Sequence, residues 1–164
     1  MATCTFDTYQ EEAQERYLTD PSDPWIPLNR YLQALKESGA NLLVFRDGEA
    51  IFSSASNGVA PLIEAIEKIG RDGQRGVVTA DRIVGRAAAL LNIHMGAVEV
   101  HAMLISQGAK ETLGGHGVAF RFWEEVDAIK MKDGVVFCPF ERLVQDISDP
   151  EEAYLRIKAK MAEF

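Results

Sequence analysis

The sequence has few cysteines, few histidines, little positive charge and no long apolar run. Its 164 residues include two cysteines, Cys4 and Cys138. Two cysteines cannot build the multi-bridge framework that holds small secreted domains together. A reduced, cytoplasmic protein is expected. No stretch reaches the ~18–20 apolar residues of a membrane-spanning helix, so no membrane partner is expected. The N-terminal MATCTFDTYQEEAQERYL has no basic start and no apolar segment, and does not read as a secretory signal. Lys and Arg number 17 against 25 Asp and Glu, a formal charge of −8. Bulk binding to nucleic acid needs a basic footprint and is not expected. The three histidines, His94, His101 and His116, are scattered, and no cofactor or metal is expected from their spacing. GRDGQRG lacks the Gly-Lys-Ser/Thr ending of a phosphate-binding P-loop.

What is present is enough apolar content, 47%, for one buried core. Charge is uneven. Between Lys68 and Arg86 five cations (Lys68, Arg71, Arg75, Arg82, Arg86) face two acids, Asp72 and Asp81, a local +3 in a chain of −8. The island hints at an anionic ligand, although charge runs more often belong to solvated loops.

Residues 1–26 read as an acidic arm, with Phe6, Tyr9, Ala13 and Tyr17 along one side of a short helix and Trp25 beyond. Such an arm is expected to dock on a partner, a second copy of the chain being the first candidate. Residues 27–164 read as one α/β domain. PLNRYLQALKESG has leucines at helical spacing and a glycine stop. NLLVFRDGEAIFSS predicts a hairpin turning at Asp47-Gly48. GVAPLIEAIEKIG predicts a helix with Pro61 in its first turn. A helix over about 80–94 follows, then a strand in AVEVHAMLIS, a helix in QGAKETLGGHG and a strand in VAFRF. AIKMKDGVVF predicts a second hairpin, PFERLVQDI a short helix, and the C-terminal stretch a helix capped at Ser148 or Asp149. The order implies a mixed sheet with helices on both faces.

VVTADRIVGRAAALLNIHMG raises the functional question, because it threads Arg86 through apolar residues. On a helical wheel Ile83, Val84, Ala87, Leu90 and Leu91 share one arc and Arg86 falls on its border. Two readings stand. In one, Asp81 or Thr79 caps the helix and Arg86 snorkels to water. In the other, Asp81, Arg82 and Arg86 line a cleft in which arginine forks hold a phosphate or carboxylate. Cys138, at the start of CPFERLVQDI, is either a small buried thiol or a nucleophile activated by a helix start.

LLVFRDGEAIFSS, GVAPLIEAIE, ADRIVGRAAALL, HGV and CPFERLVQDISDPEEAYLRIK together resemble the bacterial domain-of-unknown-function family 1893, from about residue 40 to 158. GRAAALL and CPFE are the most specific pieces. The resemblance implies a cytidine-deaminase-like fold, a three-layer α/β/α sandwich with a mixed sheet of about five strands. It implies no activity. Zinc deaminases take their metal from His/Cys-x-Glu opening one helix and Pro-Cys-x-x-Cys opening the next. The corresponding stretches here, TADRIVGR and SQGAKET, hold neither motif. The expectation is therefore a metal-free member that binds a small anionic or nucleotide-like ligand. Its pocket is expected from Asp81, Arg82, Arg86, Ser106 and Cys138. Were it an enzyme, Cys138 would be the nucleophile, Asp81 a base and Arg86 the anion clamp. The alternative is an assembly or regulatory module that has lost its chemistry.

Overall fold

The computed structural model describes residues 29–69, 76–130 and 138–163. The N-terminal arm and most of the hairpin expected at Asp133-Gly134 lie outside the described residues.

Helix α1 (Arg30–Ser38) begins because the Asn29 side chain accepts hydrogen bonds from the amides of Tyr31 and Leu32. It stops at Gly39, whose φ of 72° is the left-handed cap a glycine adopts without strain. β1 (Leu42–Arg46) and β2 (Glu49–Ser54) form the expected hairpin, with positive φ at both Asp47 and Gly48. α2 (Ala60–Ile69) buries Leu62, Ile63, Ala65 and Ile66.

The next element corrects the sequence reading. Residues 77–84 are not the first half of a helix but a strand, β3 (Val77–Val84), and only then does α3 (Arg86–Met95) begin. Val77, Val78, Thr79, Ile83 and Val84 are β-branched and suit an extended chain. β3 lies between β1 and β4 and is covered on both faces, so it shows no alternation. A strand buried on both faces, polar residues Thr79, Asp81 and Arg82 included, carries no alternation of its own, and the helical period of RAAALLNIHM reads on through it. Arg86 is accordingly the first residue of α3, not its middle.

β4 (Ala97–Ser106), α4 (Gln107–Gly115) and β5 (Ala119–Val126) follow, then the short α5 (Pro139–Leu143) and α6 (Pro150–Met161). Asp149 caps α6 by accepting from Glu151 N, with Pro150 at its first position. The five strands lie in the order β2-β1-β3-β4-β5. β1 runs antiparallel to both β2 and β3, whereas β3–β4 and β4–β5 are parallel.

The main core packs α2, α3, α4 and α6 on one face of the sheet around Leu62, Leu90, Leu91, Leu113 and Ile157. A smaller core under α1, with Leu32, Leu35, Phe45 and Met103, covers the other. The result is the three-layer mixed α/β architecture expected. Thr79 Oγ1 donates to Asn92 Oδ1 at 2.7 Å, tying β3 to α3 inside the main core. Asn29 Nδ2 lies 2.7 Å from His101 Nδ1 and so joins the α1 cap to β4. Among the described residues no helix is long and apolar enough to cross a membrane.

Candidate functional site

β3, β4 and β5 are parallel, so their carboxyl ends lie together, and the N-termini of α3 and α4 open beside them. Open α/β sheets place ligands in the crevice outside such strand ends. All five expected site residues are at this end, but in two compartments. Asp81, Arg82 and Cys138 line a cavity of about 40 Å3 together with Asn41. Arg86 and Ser106 line a cleft of about 200 Å3 together with Asp127, Arg142 and Gln145. Ile129 and Glu141 border both and form the wall between them.

Glu141 is the residue that sequence reasoning missed. Its carboxylate oxygens accept hydrogen bonds from Arg86 N at 3.0 Å and Ala87 N at 2.8 Å. A side chain from α5 thus satisfies the free N–H groups that begin α3. Gly85, the N-cap, has no side chain to do so. Gly85 is required by space rather than by its φ of −96°. A Cβ there would overlap the Glu141 carboxylate and come within 2.8 Å of Ile129 Cγ1. Gly85→Ala is expected to push Glu141 off the helix and to cost about 1–3 kcal/mol, read as a lower urea midpoint. Burial raises the Glu141 pKa against the pull of the two amides and of Arg86.

Arg86 is bonded within the protein. Its Nε donates to Val144 O at 3.0 Å, Nη1 to Thr112 Oγ1 at 3.0 Å and Nη2 to Ile147 O. The guanidinium staples the start of α3 to α4 and to the chain between α5 and α6. A guanidinium has five N–H donors, and three are spent on the protein. Arg82 points to the other face, where Nε donates to Ala40 O at 2.7 Å. Burial lowers its pKa, partly offset by Asp81. Arg82 and Arg86 are therefore bonded to different parts of the protein.

Asp81 is not a helix cap. It sits inside β3, buried, where loss of solvent pushes its pKa up to about 8. Hydrogen bonds from the amides of Ile83 and Arg82, and the Arg82 charge, oppose that rise without cancelling it. At neutral pH it is a carboxylic acid, able to donate a proton. Ser106, also buried, is the N-cap of α4 and accepts from Ala109 N at 3.1 Å. Cys138, at the start of α5, is 3% exposed, and its sulfur is held in a disulfide rather than as a free thiol. The expectation of a reduced nucleophile does not hold here, because a disulfide sulfur offers no thiolate. Among the described residues no three His, Cys, Asp or Glu side chains are grouped to hold a metal. His94 stacks on Tyr154, and His116 Nδ1 lies 2.9 Å from Thr112 O.

The model of a family described as a domain of unknown function, DUF1893, matches residues 30–161. The chain belongs to the DUF1893 family. A crystal structure of a DUF1893 family protein from Thermotoga maritima, TM1506, superposes with a TM-score of 0.71 at 28% identity. The match covers 81% of this chain and 92% of that one. No curated protein matches the chain. The family match begins at the first residue of α1 and ends at the last of α6, so the DUF1893 unit includes both walls of the divided crevice.

Proposed function

We propose that this DUF1893 domain is a metal-free, cytidine-deaminase-like module that binds a small anionic or nucleotide-like ligand in the cleft at the carboxyl ends of β4 and β5. The observation that carries this reading is the cleft of about 200 Å3, set where α4 presents its N-terminus beside Arg86 and Arg142. Arg142 is exposed, and Arg86 keeps two N–H donors beyond those given to the protein. The deaminase-like reading is supported by the antiparallel β1 beside three parallel strands, with two helices opening at adjacent strand ends. Those helices begin Gly85-Arg86-Ala87 and Ser106-Gln107-Gly108, without a thiol, imidazole or carboxylate of their own. The carboxylate at the α3 start belongs to Glu141, and it spends both oxygens on backbone amides. In an enzymatic version, Asp81 is the proton donor, reached once Glu141 moves aside, and Cys138 has no covalent role.

Gly108 supplies the test. It lines the cleft, and a Cβ there would meet only Ser106 Oγ, at 4.0 Å. Gly108→Leu is expected to keep the fold, because glycine inside a helix costs ~1 kcal/mol relative to alanine-like residues. It is also expected to fill the cleft. Thermal unfolding against nucleotides, sugar phosphates and small carboxylates reads the result. A ligand at a hundred times its dissociation constant should stabilise the chain by about 2.7 kcal/mol. That gain should vanish in Gly108→Leu. A gain untouched by the substitution removes the cleft from the argument. A flat screen favours the assembly or regulatory module, for which the structural use of Arg86 already speaks.

A further inference from the structure

We propose a second binding site, at the other end of the sheet, that takes the phosphate group of a small phosphate monoester with an apolar or aromatic body. β1 runs against β3, so Arg46 at the end of β1 lies where β3 begins, away from the cleft. There a cavity of about 430 Å3 opens between the hairpin and the end of α2. Its described lining is Arg46, Ile51, Phe52, Ser53, Lys68 and Ile69.

Three features point to an anion. Two cationic side chains share the cavity, and no carboxylate is among the described residues lining it. Arg46 Nη2 is buried and has no hydrogen-bond partner. Buried donors are nearly always paired, and an orphan in a native fold calls for an ion or water at the site. A phosphate in the cavity supplies the missing countercharge to Arg46 and Lys68, and a guanidinium fork matches its geometry. The third feature is the contrast with Arg82 and Arg86, whose donors end on backbone carbonyls and a hydroxyl. The orphan nitrogen of Arg46 has no such use.

The organic part of the ligand follows from the walls. The cavity exceeds a phosphate ion, and Ile51, Phe52 and Ile69 make much of its surface apolar. Phe52 offers an aromatic ring to pack against. The chain carries a formal charge of −8, so local attraction works against a repelling long-range field.

The probe is phenyl phosphate, titrated calorimetrically into the full chain, beside inorganic phosphate and phenol. Saturable one-to-one binding is expected for phenyl phosphate, weaker binding for inorganic phosphate, and none for phenol. Arg46→Gln and Lys68→Gln should each weaken phenyl phosphate tenfold or more. Lys68 is exposed, so its substitution leaves the fold intact and keeps the test sound should Arg46→Gln disturb the hairpin. Gly108→Leu, which blocks the cleft at the opposite end, should leave this affinity unchanged, so the two sites stand or fall separately. Absence of saturable binding overturns the site. So does binding that survives both charge substitutions, or binding that Gly108→Leu abolishes.

Discussion

Asp81→Asn is expected to stabilise the protein, and by more as pH rises from about 4 to about 8. The carboxyl has a pKa near 8 in the fold against 3.8 as its ordinary value. A raised pKa means the folded state binds the proton more tightly than the unfolded chain does. Its contribution to stability is complete below the unfolded value and is lost as pH climbs through the folded one. Across that window the wild type should lose stability from this group at up to ~1.4 kcal/mol per pH unit. By pH 7 the loss is on the order of 4 kcal/mol. Asparagine keeps the shape and the acceptor for the Ile83 and Arg82 amides but cannot ionise. Urea unfolding at pH 5, 7 and 9 should show the variant and wild type diverging up to pH 8 and then running parallel. Curves that stay parallel throughout would mean that Asp81 is ionised in the fold, and the neutral-acid reading would fail.

Arg86→Met is expected to lower stability by about 3 kcal/mol, with α6 released first. The substitution keeps the apolar stem but removes the donors to Val144 O, Ile147 O and Thr112 Oγ1. Hydrogen bonds from a charged donor are worth roughly 1.5–3 kcal/mol each, and those sharing one side chain do not add fully. Arg86→Lys should recover little, since one ammonium cannot reach three acceptors spread around a planar fork. Amide exchange should show the segment from Val144 through α6 opening before the sheet does. A variant within ~0.5 kcal/mol of wild type would show that the staple is idle and would return Arg86 to a ligand role.

The arginine illustrates what was legible. The residues around it point to a helix, and a helix is there, but its start is set by Gly85 and by a strand that shares its composition. Elements with their own punctuation were readable in full: Asn29 and Gly39 bracket α1, Asp47-Gly48 closes the hairpin, and Asp149-Pro150 starts α6. β3 has no such marks. It is buried on both faces because neighbours cover both, and that is a property of the sheet rather than of the segment.

The site divides the same way. Local chemistry already selected Asp81, Arg82, Arg86, Ser106 and Cys138, and the chain does bring them to one end of the sheet. Their roles came from partners far away in sequence. Glu141 reaches 55 residues back to cap α3, and Arg86 reaches 61 residues forward to Ile147. No spacing rule links such positions.

By itself the sequence determined the class of the fold, most of its elements and the neighbourhood of the crevice, because capping, turn chemistry and apolar periodicity act within a few residues. Only the tertiary structure decided that Arg86 is a staple, that Asp81 stays protonated and that one wall divides the crevice. Charge, burial and hydrogen bonding take their values from whatever the fold places within a few ångströms, and the chain's order does not encode that distance.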